Sequence, residues 1–217
     1  MSSQDVAIQA EMAHMAKSYD AYMRRVTLGS ERVLRERTLE LAQLKPGDQV
    51  LEVGCGTGTL SLAAKQKVGA TGKVYGIDPL PEMIELSQRK AAQAGADITF
   101  QRGSIDAIPF PADQFDAVLC SFMIFHMSDP VRRRGIQEIQ RVLKPGGRLV
   151  VVDLALPASR VPRAIAKALF GAMLQHDLRE LVPLMQESGF VGVETGPVNY
   201  RLVFLPLLAF VRGKAGA

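Results

Sequence analysis

Short apolar runs alternate along the chain with longer segments in which apolar residues recur every three or four positions. The short runs occupy 50–53, 73–78, 98–101, 115–120 and 148–154. The amphipathic segments between them occupy 60–68, 79–95 and 129–143. Short buried strands separated by amphipathic helices are typical of a parallel sheet that has helices on both faces. The pattern therefore predicts an α/β fold.

The flanks carry the same patterns in weaker form. Residues 5–26 are compatible with a helix that has a weak apolar face. A second helix is expected to start at Ser30, as its cap, and its inward residues are expected to be Val33, Leu34, Leu41 and Leu44. After the core we expect a basic amphipathic helix at 160–174 and a second helix at 181–188. A sixth strand is expected from 189 and a seventh strand at 200–205. Residues 207–211 either continue in the sheet or form an exposed apolar end.

Three glycines at alternate positions follow the first apolar run. Gly54, Gly56 and Gly58 come directly after residues 50–53 and precede a helical segment. Glycine accepts a positive φ freely and, without a Cβ, lets the backbone lie against a ligand. The spacing differs from the G-x-G-x-x-G of dinucleotide-binding proteins, and Glu52 would repel a pyrophosphate. The same carboxylate suits a ligand that carries an ammonium and a sulfonium, as S-adenosylmethionine does.

A second acidic residue ends the next strand. At the position of Asp78 a carboxylate can accept both hydroxyls of an adenosine ribose. Three further motifs follow, Gly-Ser-Ile-Asp-Ala-Ile-Pro-Phe-Pro at 103–111, Phe-Asp-Ala-Val at 115–118 and Leu-Lys-Pro-Gly-Gly at 143–147. With the glycine turn, they resemble the class I S-adenosylmethionine-dependent methyltransferases, most of all the branch that contains the ubiquinone and menaquinone biosynthesis methyltransferases. The resemblance is close over residues 48–153 and loose in the flanks.

The resemblance implies a Rossmann-like, doubly wound, seven-stranded sheet. This sheet is mostly parallel, has an antiparallel last strand and carries helices on both faces. A single methyltransferase domain is expected over 1–217, with an N-terminal helical lid at 1–28, a cofactor-binding core at 30–153, and substrate-side helices and last strands at 154–217. The 217 residues and 47% hydrophobic content are ordinary for one such domain.

The resemblance also implies contacts to the cofactor. The residues expected to hold S-adenosylmethionine at its ribose and methionine parts are Glu52, Gly54, Gly56, Gly58 and Asp78. Met83 matches a residue that packs on the adenine ring, although a core methionine is an equal alternative. Ser104 stands where the family often has an acid that binds the adenine amino group, and its hydroxyl or the backbone of Ile105 could replace that acid. Ser121 is expected beside the transferable methyl group, because ligands bind where the strand order reverses.

The candidate catalytic residues are fewer. Methyl transfer from a sulfonium is an in-line displacement, so alignment and exclusion of water matter more than a covalent nucleophile. If the acceptor must lose a proton, His126 is the best placed base. The next candidates are Asp153, Tyr19 and His14. His126 could instead hold its loop through a backbone hydrogen bond. Tyr19 matches a Tyr-Asp pair of the resembled family and is either a lid residue or a tyrosine packed on the domain surface.

Composition narrows the cellular setting. A net charge of +4 is too mild to require nucleic acid, and residues 132–134, three arginines on at least partly exposed positions, are interpreted as a solvated helix face. Cys55 and Cys120 make no disulfide framework and are expected to be buried thiols. No residues have metal-ligand spacing. The chain shows no signal peptide or spanning apolar segment, so we interpret it as cytoplasmic, and the basic amphipathic segment permits peripheral membrane contact.

Several acceptors fit this picture. The aromatic and methionine residues at 122–127 suggest an apolar acceptor, although they could merely cover the sheet. The first hypothesis is therefore a small or lipid-like acceptor, namely a quinone precursor, a phospholipid headgroup amine or an aromatic metabolite. An RNA methyltransferase would use the arginine clusters and bind RNA in a salt-dependent way. Glu52 and the glycine spacing argue against a nucleotide-dependent oxidoreductase, and a non-catalytic binding module remains open.

Overall fold

A computed structural model of the chain describes residues 13, 16–27, 29–155, 177–198 and 208–216. The strands of these residues are β1 (Gln49–Val53), β2 (Lys73–Asp78), β3 (Thr99–Arg102), β4 (Phe115–Ser121), β5 (Leu143–Leu154), β6 (Phe190–Pro197) and β7 (Leu208–Ala215). The helices are α1 (Tyr19–Val26), α2 (Glu31–Ala42), α3 (Thr59–Val68), α4 (Pro81–Gln93), α5 (Asp129–Val142) and α6 (Leu181–Glu187). Short 3₁₀ turns occupy Ala16–Ser18, Ile124–His126 and Leu178–Glu180.

All of these strands belong to one sheet with the order β3-β2-β1-β4-β5-β7-β6. Neighbouring strands are parallel except around β7, which is antiparallel to both β5 and β6. The strand order reverses between β1 and β4, where Val53 lies level with Cys120. Ligands of doubly wound sheets bind at such a reversal, beside the carboxyl ends of the strands. The expected seven-stranded, mostly parallel sheet is confirmed.

The central strands are covered on both faces. Successive residues of a strand point to opposite faces, and Val50 and Leu119 pack with α2 and α3. Their neighbours Leu51 and Val118 pack on the other face with α5 and α6. All four side chains are fully buried. The sequence of these strands is therefore a continuous apolar run without the polar alternation of a half-exposed strand.

The N-terminal flank differs in detail from the expectation. Helix α1 begins at Tyr19 after a 3₁₀ turn, and residues 5–12, 14 and 15 of the expected helix lie outside the described residues. Ser30 precedes α2 but its side chain makes no cap hydrogen bond. Val33 was expected to face inward and is 46% exposed. The buried stripe of α2 lies one position further round the helix, on Leu34, Thr38, Leu39 and Ala42.

In the C-terminal flank the structure shows whether the apolar end at 207–211 continues in the sheet. The predicted helix at 160–174 and the predicted strand at 200–205 lie outside the described residues. Residues 208–211 belong to β7, so the apolar end continues in the sheet. Val211 pairs with Val151 of β5 and with Thr195 of β6, and it is fully buried.

The arginine run in α5 is not a continuous solvated face. Arg132, which we expected to be at least partly exposed, is 7% exposed and forms ion pairs with Asp129 and Glu180. Arg133 is exposed and pairs with Glu187, 2.8 Å away. The helical repeat explains the difference, because position 132 shares its face with the buried residues Gly135, Ile136 and Ile139. Among the described helices, none combines the length and the hydropathy needed to cross a bilayer.

A turn of three glycines joins β1 to α3. Gly54, Gly56 and Gly58 all have positive φ, at 69°, 50° and 75°. At Gly58 the packing also demands glycine, because a Cβ there would lie 2.7 Å from Cζ of Phe100 and 2.8 Å from Cβ of Ser87. Both neighbours lie in the protein interior beside α4, so the turn is wedged between the sheet and that helix.

We predict that Gly58→Ala lowers the free energy of unfolding by more than Gly95→Ala. Both positions have positive φ, which costs an alanine about 1–2 kcal/mol. A Cβ at Gly95 meets nothing within 4 Å, whereas at Gly58 the overlap with Phe100 adds about 1–3 kcal/mol. Urea unfolding followed by circular dichroism measures both values. Equal losses in the two variants would show that the turn relaxes away from Phe100.

Candidate active site

The glycine turn is anchored on the neighbouring strand. The backbone N–H groups of Gly54 and Cys55 both donate to the carbonyl oxygen of Ile77, at 2.8 Å and 3.0 Å. Ile77 immediately precedes Asp78, the last residue of β2. The anchoring therefore brings the turn after β1 next to the carboxylate that ends β2.

Glu52 is buried beneath this turn. Its side chain is 3% exposed and accepts a short hydrogen bond from the Ser61 hydroxyl of α3. Burial raises the pKa of Glu52 to about 8, against the opposing effects of the Ser61 hydrogen bond and the charge of Arg35. A cation placed next to this carboxylate would stabilise its charged form. Glu52 therefore suits a cationic ligand group, which was the reason for singling it out in the sequence.

Asp78 is held in a fixed orientation. One carboxylate oxygen accepts the N–H of Gly56 at 2.9 Å, and the other accepts the N–H of Leu80 at 3.0 Å. Burial raises the pKa of Asp78, although these two hydrogen bonds oppose the shift. A carboxylate oxygen has more than one acceptor direction, so lone pairs remain for ligand hydroxyls.

A cavity lies between α1, α2 and the glycine turn, at the carboxyl ends of β1 and β4. Its lining combines some of the expected cofactor and lid residues with others, which include Phe122 of the apolar segment 122–127. The expected ones are Tyr19, Glu52, Gly54, Gly56 and Ser121. The others are Asp20, Met23, Glu31, Leu34, Arg35, Cys55, Thr57, Thr59, Leu60 and Phe122.

Tyr19 reaches into this cavity from the first turn of α1. Its ring lies close to Gly56, because a Cβ on that glycine would be 3.9 Å from the Tyr19 Cε1. Burial raises the pKa of Tyr19 to about 12, and the charges of Asp78, Asp153 and Glu52 add to the shift. The phenol therefore keeps its proton at neutral pH. This placement fits the lid alternative better than a tyrosine on an outer surface.

Phe122 stands in a strained backbone conformation at the end of β4. Its φ is +54°, which is unusual for an aromatic residue, and its N–H donates to the carbonyl of Val152 at 3.0 Å. Strain of this kind persists where the surrounding structure enforces it and is concentrated at functional sites. Phe122 and Ser121 line the cavity, whereas Met123, Ile124 and Phe125 are buried against the sheet. For these three residues the structure favours the sheet-covering alternative.

Asp153 organises the turn that follows β4. Its carboxylate is fully buried and accepts the N–H groups of Ile124 at 2.9 Å, Phe125 at 3.3 Å and Leu154 at 2.7 Å. Burial raises the pKa of Asp153 to about 7, against these hydrogen bonds. The turn it holds ends at His126, whose backbone lies in the 3₁₀ turn Ile124–His126. His14 and His176 lie outside the described residues.

The residues expected at the adenine do not line this cavity. Met83 is 3% exposed in α4, and Ile105 is 3% exposed and packs against Gly135 of α5. Ser104 donates its hydroxyl to the carboxylate of Asp106 two residues on. Met83 belongs to α4, and Ser104 and Ile105 follow β3.

The two cysteines are free and buried. Burial raises the pKa of both thiols, and the charges of Glu52 and Asp78 add to this at Cys55, as do those of Asp153 and Glu52 at Cys120. Both are therefore buried thiols, as expected. Over the described ranges, no three histidine, cysteine or acidic residues are grouped so that they could hold a metal ion.

Comparison with known proteins shows the family to which the chain belongs. Residues 50–147 match a family model described as a methyltransferase domain. The demethylmenaquinone methyltransferase of Deinococcus radiodurans is 33% identical over 189 residues, which are 87% of this chain and 75% of that protein. The demethylmenaquinone methyltransferase of Thermus thermophilus is 30% identical over 87% of this chain and 80% of its own length.

A solved structure supports the fold independently. The S-adenosylmethionine-dependent methyltransferase of Aquifex aeolicus superimposes with a TM-score of 0.68 at 23% identity, covering 94% of this chain and 98% of that one. The chain belongs to the class I S-adenosylmethionine-dependent methyltransferases. Within them it falls in the branch of the ubiquinone and menaquinone biosynthesis methyltransferases, and it is an enzyme that uses S-adenosylmethionine.

The buried acids predict how stability depends on pH. A carboxyl whose pKa is higher in the folded state binds its proton more tightly when folded, so stability falls as pH rises from the unfolded to the folded pKa. For Glu52 and Asp153 this interval runs from 4.5 to about 8 and from 3.8 to about 7. Without cofactor, the free energy of unfolding should therefore decrease between about pH 5 and about pH 8. Denaturant melts at several pH values measure this slope.

The Glu52→Gln variant tests which group is responsible. It removes the titrating carboxyl but keeps an oxygen that can accept from Ser61, so the decrease should shrink by about 1 kcal/mol or more. The matched control is Glu82→Gln, which neutralises an exposed glutamate in the first turn of α4 and should leave the slope unchanged. An identical slope in wild type and Glu52→Gln would contradict the burial of a protonated Glu52.

Proposed function

We propose that this enzyme transfers a methyl group from S-adenosylmethionine to a small quinone-like acceptor, at a ring carbon. The observation that carries the proposal is the 33% identity to a demethylmenaquinone methyltransferase along three quarters of that protein. The cavity adds support, because Tyr19 and Phe122 present aromatic rings where β1 and β4 end. Aromatic side chains suit a flat apolar acceptor.

The described residues fit the cofactor. In the proposed site Glu52 binds a cationic part of S-adenosylmethionine, because it is a buried acid without an ion-pair partner among the described side chains. Asp78, held by two backbone N–H groups, accepts the ribose hydroxyls. The backbone of the turn at Gly54, Gly56 and Gly58 completes this part. Met83, Ser104 and Ile105 receive the adenine, and Ser121 lies beside the methyl group.

The cofactor supplies an electrophilic methyl group on a sulfonium, so in-line displacement needs no metal or covalent enzyme intermediate. The chain aligns the acceptor, excludes water and removes the proton that a ring carbon must lose. We assign proton removal to His126. Tyr19, which stays protonated, donates a hydrogen bond, since its pKa of about 12 disfavours a role as base. Asp153 positions His126 by holding the backbone of the preceding turn.

The proposal predicts that Asp78→Ala weakens binding of S-adenosylhomocysteine by about 1–3 kcal/mol, the value of buried, charge-assisted hydrogen bonds. Isothermal titration calorimetry measures the affinity. Asp78 also accepts two backbone N–H groups, so Asp78→Asn, which keeps one acceptor oxygen, should show a smaller loss. Asp97→Ala, which removes an exposed carboxylate between α4 and β3, is the control. Unchanged affinity in a folded Asp78→Ala variant would refute the ribose role.

The acceptor is tested with three substrates under the same conditions. We expect methylation of a reduced 1,4-naphthoquinone that carries a short prenyl chain, and no transfer to phosphoethanolamine or to RNA. Mass spectrometry of the product locates the new methyl group. His126→Ala should lower turnover by about 100-fold or more while calorimetry shows the same affinity for S-adenosylhomocysteine. If only phosphoethanolamine or only RNA is methylated, the proposed quinone-like acceptor is wrong and the methylated substrate shows the acceptor class.

Binding to nucleic acid is not part of the proposal. Two of the three arginines at 132–134 pair with acids of the chain, since Arg132 is buried in ion pairs and Arg133 pairs with Glu187. Arg134 is exposed. We also propose that the enzyme makes peripheral contact with a membrane surface, because a quinone-like acceptor is apolar. Sedimentation with vesicles of anionic phospholipid measures that contact.

A further inference from the structure

Lys90 connects three elements around the cavity. From α4, its ammonium nitrogen lies 2.6 Å from Oδ2 of Asp20 in α1. It also lies 2.9 Å and 2.8 Å from the hydroxyl oxygens of Thr57 and Thr59, at the end of the glycine turn. An ammonium has three N–H donors, and these contacts use all three. No pattern in the sequence indicates a role for Lys90, Asp20 or either threonine.

The contacts close into a ring. The Thr57 hydroxyl donates to Oδ1 of Asp20 at 2.6 Å, and its oxygen, Oγ1, accepts from the Lys90 ammonium. Burial by itself would raise the pKa of Asp20, but the hydrogen bonds from Lys90 and Thr57 outweigh it and the pKa is lowered. Asp20 is therefore charged at neutral pH. We refer to Asp20, Thr57, Thr59 and Lys90 as the clasp.

The clasp determines where Tyr19 lies. Asp20 and Tyr19 are consecutive residues in the first turn of α1, so a bond that fixes one fixes the other. An eight-residue helix has little stability of its own and depends on its tertiary contacts. The 3₁₀ turn before α1 also contacts α4, where Ala16 is 2% exposed. The clasp thus holds the start of α1 against the glycine turn, with Tyr19 across the cavity.

We propose that Lys90 is a positioning residue that closes α1 over the cofactor, and that the cofactor product leaves when the clasp opens. The inference rests on the proposed cofactor site. Lys90 does not line the cavity and acts through Asp20 and Tyr19. The Asp20 and Lys90 side chains are 46% and 27% exposed, so water and salt can compete for the bond. This makes the clasp a closure that can open repeatedly.

The test measures the dissociation rate of S-adenosylhomocysteine by competition in a stopped-flow instrument. Lys90→Met keeps the length of the side chain and removes the charge, and Asp20→Asn removes the charge on the other side. Each should speed dissociation about tenfold, as expected for loss of a charge-assisted hydrogen bond. The double variant should be no faster than the single ones, because the two groups act as one unit. Arg89→Met, which removes an exposed cation one position away on α4, should change nothing.

Salt dependence separates a clasp from general destabilisation. In the wild type the dissociation rate should rise from about 50 mM to about 500 mM sodium chloride, and in Lys90→Met it should not. If Lys90→Met fails to fold, Asp20→Asn tests the same bond from α1. Unchanged rates, or additive effects in the double variant, would overturn the clasp while leaving the cofactor site intact. A wild type that does not bind S-adenosylhomocysteine would overturn the cofactor site as well.

Discussion

Three buried carboxylates at one edge of the sheet organise the structure around the cavity. Glu52 of β1, Asp78 of β2 and Asp153 of β5 are almost inaccessible to water, and each collects hydrogen bonds from the chain that follows a strand. Asp78 and Asp153 accept backbone N–H groups from the glycine turn, the turn after β2 and the turn after β4. The acids therefore shape the loops, and burial raises the pKa of each. Burying these acids lowers the free energy of unfolding, and a bound cationic ligand raises it again.

The helix over the cavity is held by a different kind of interaction. The sheet and its flanking helices are joined by fully buried apolar side chains, which do not separate without unfolding. Helix α1 is joined to the glycine turn by Asp20 and Lys90, which are partly exposed. Elements that open during function are drawn from the less stable parts of a fold. A polar attachment is thus consistent with the lid role that we propose for α1.

The expectations from the sequence were most accurate where the pattern is local. The bounds of β1 to β4 agree with the predicted runs to within one residue, and the three glycines of the turn all have positive φ. The bounds of two other strands were wrong, because β5 begins at Leu143 instead of 148 and the seventh strand lies at Leu208–Ala215 instead of 200–205. The errors arise where a neighbour is distant in the sequence. The helical repeat places Arg132 on the buried face of α5, but its partner Glu180 lies 48 residues away and is not indicated by any pattern within that helix. Val33 is exposed because α2 packs against β5 with a different face, the one that carries Leu34 and Thr38. The sequence of α2 alone does not indicate which face meets that strand.

By itself the sequence determined the fold class, the cofactor and the candidate acids at the ends of the first two strands, because glycine spacing and apolar runs act within a few residues. Only the tertiary structure decided which side chains meet around the cavity. Asp20 and Lys90 are 70 residues apart, and Asp153 holds a turn 29 residues before it. Such pairs form because the strand order brings the carboxyl ends of β1, β2, β4 and β5 to one edge. Patterns along the chain report burial and periodicity, whereas pairing between distant side chains depends on that order.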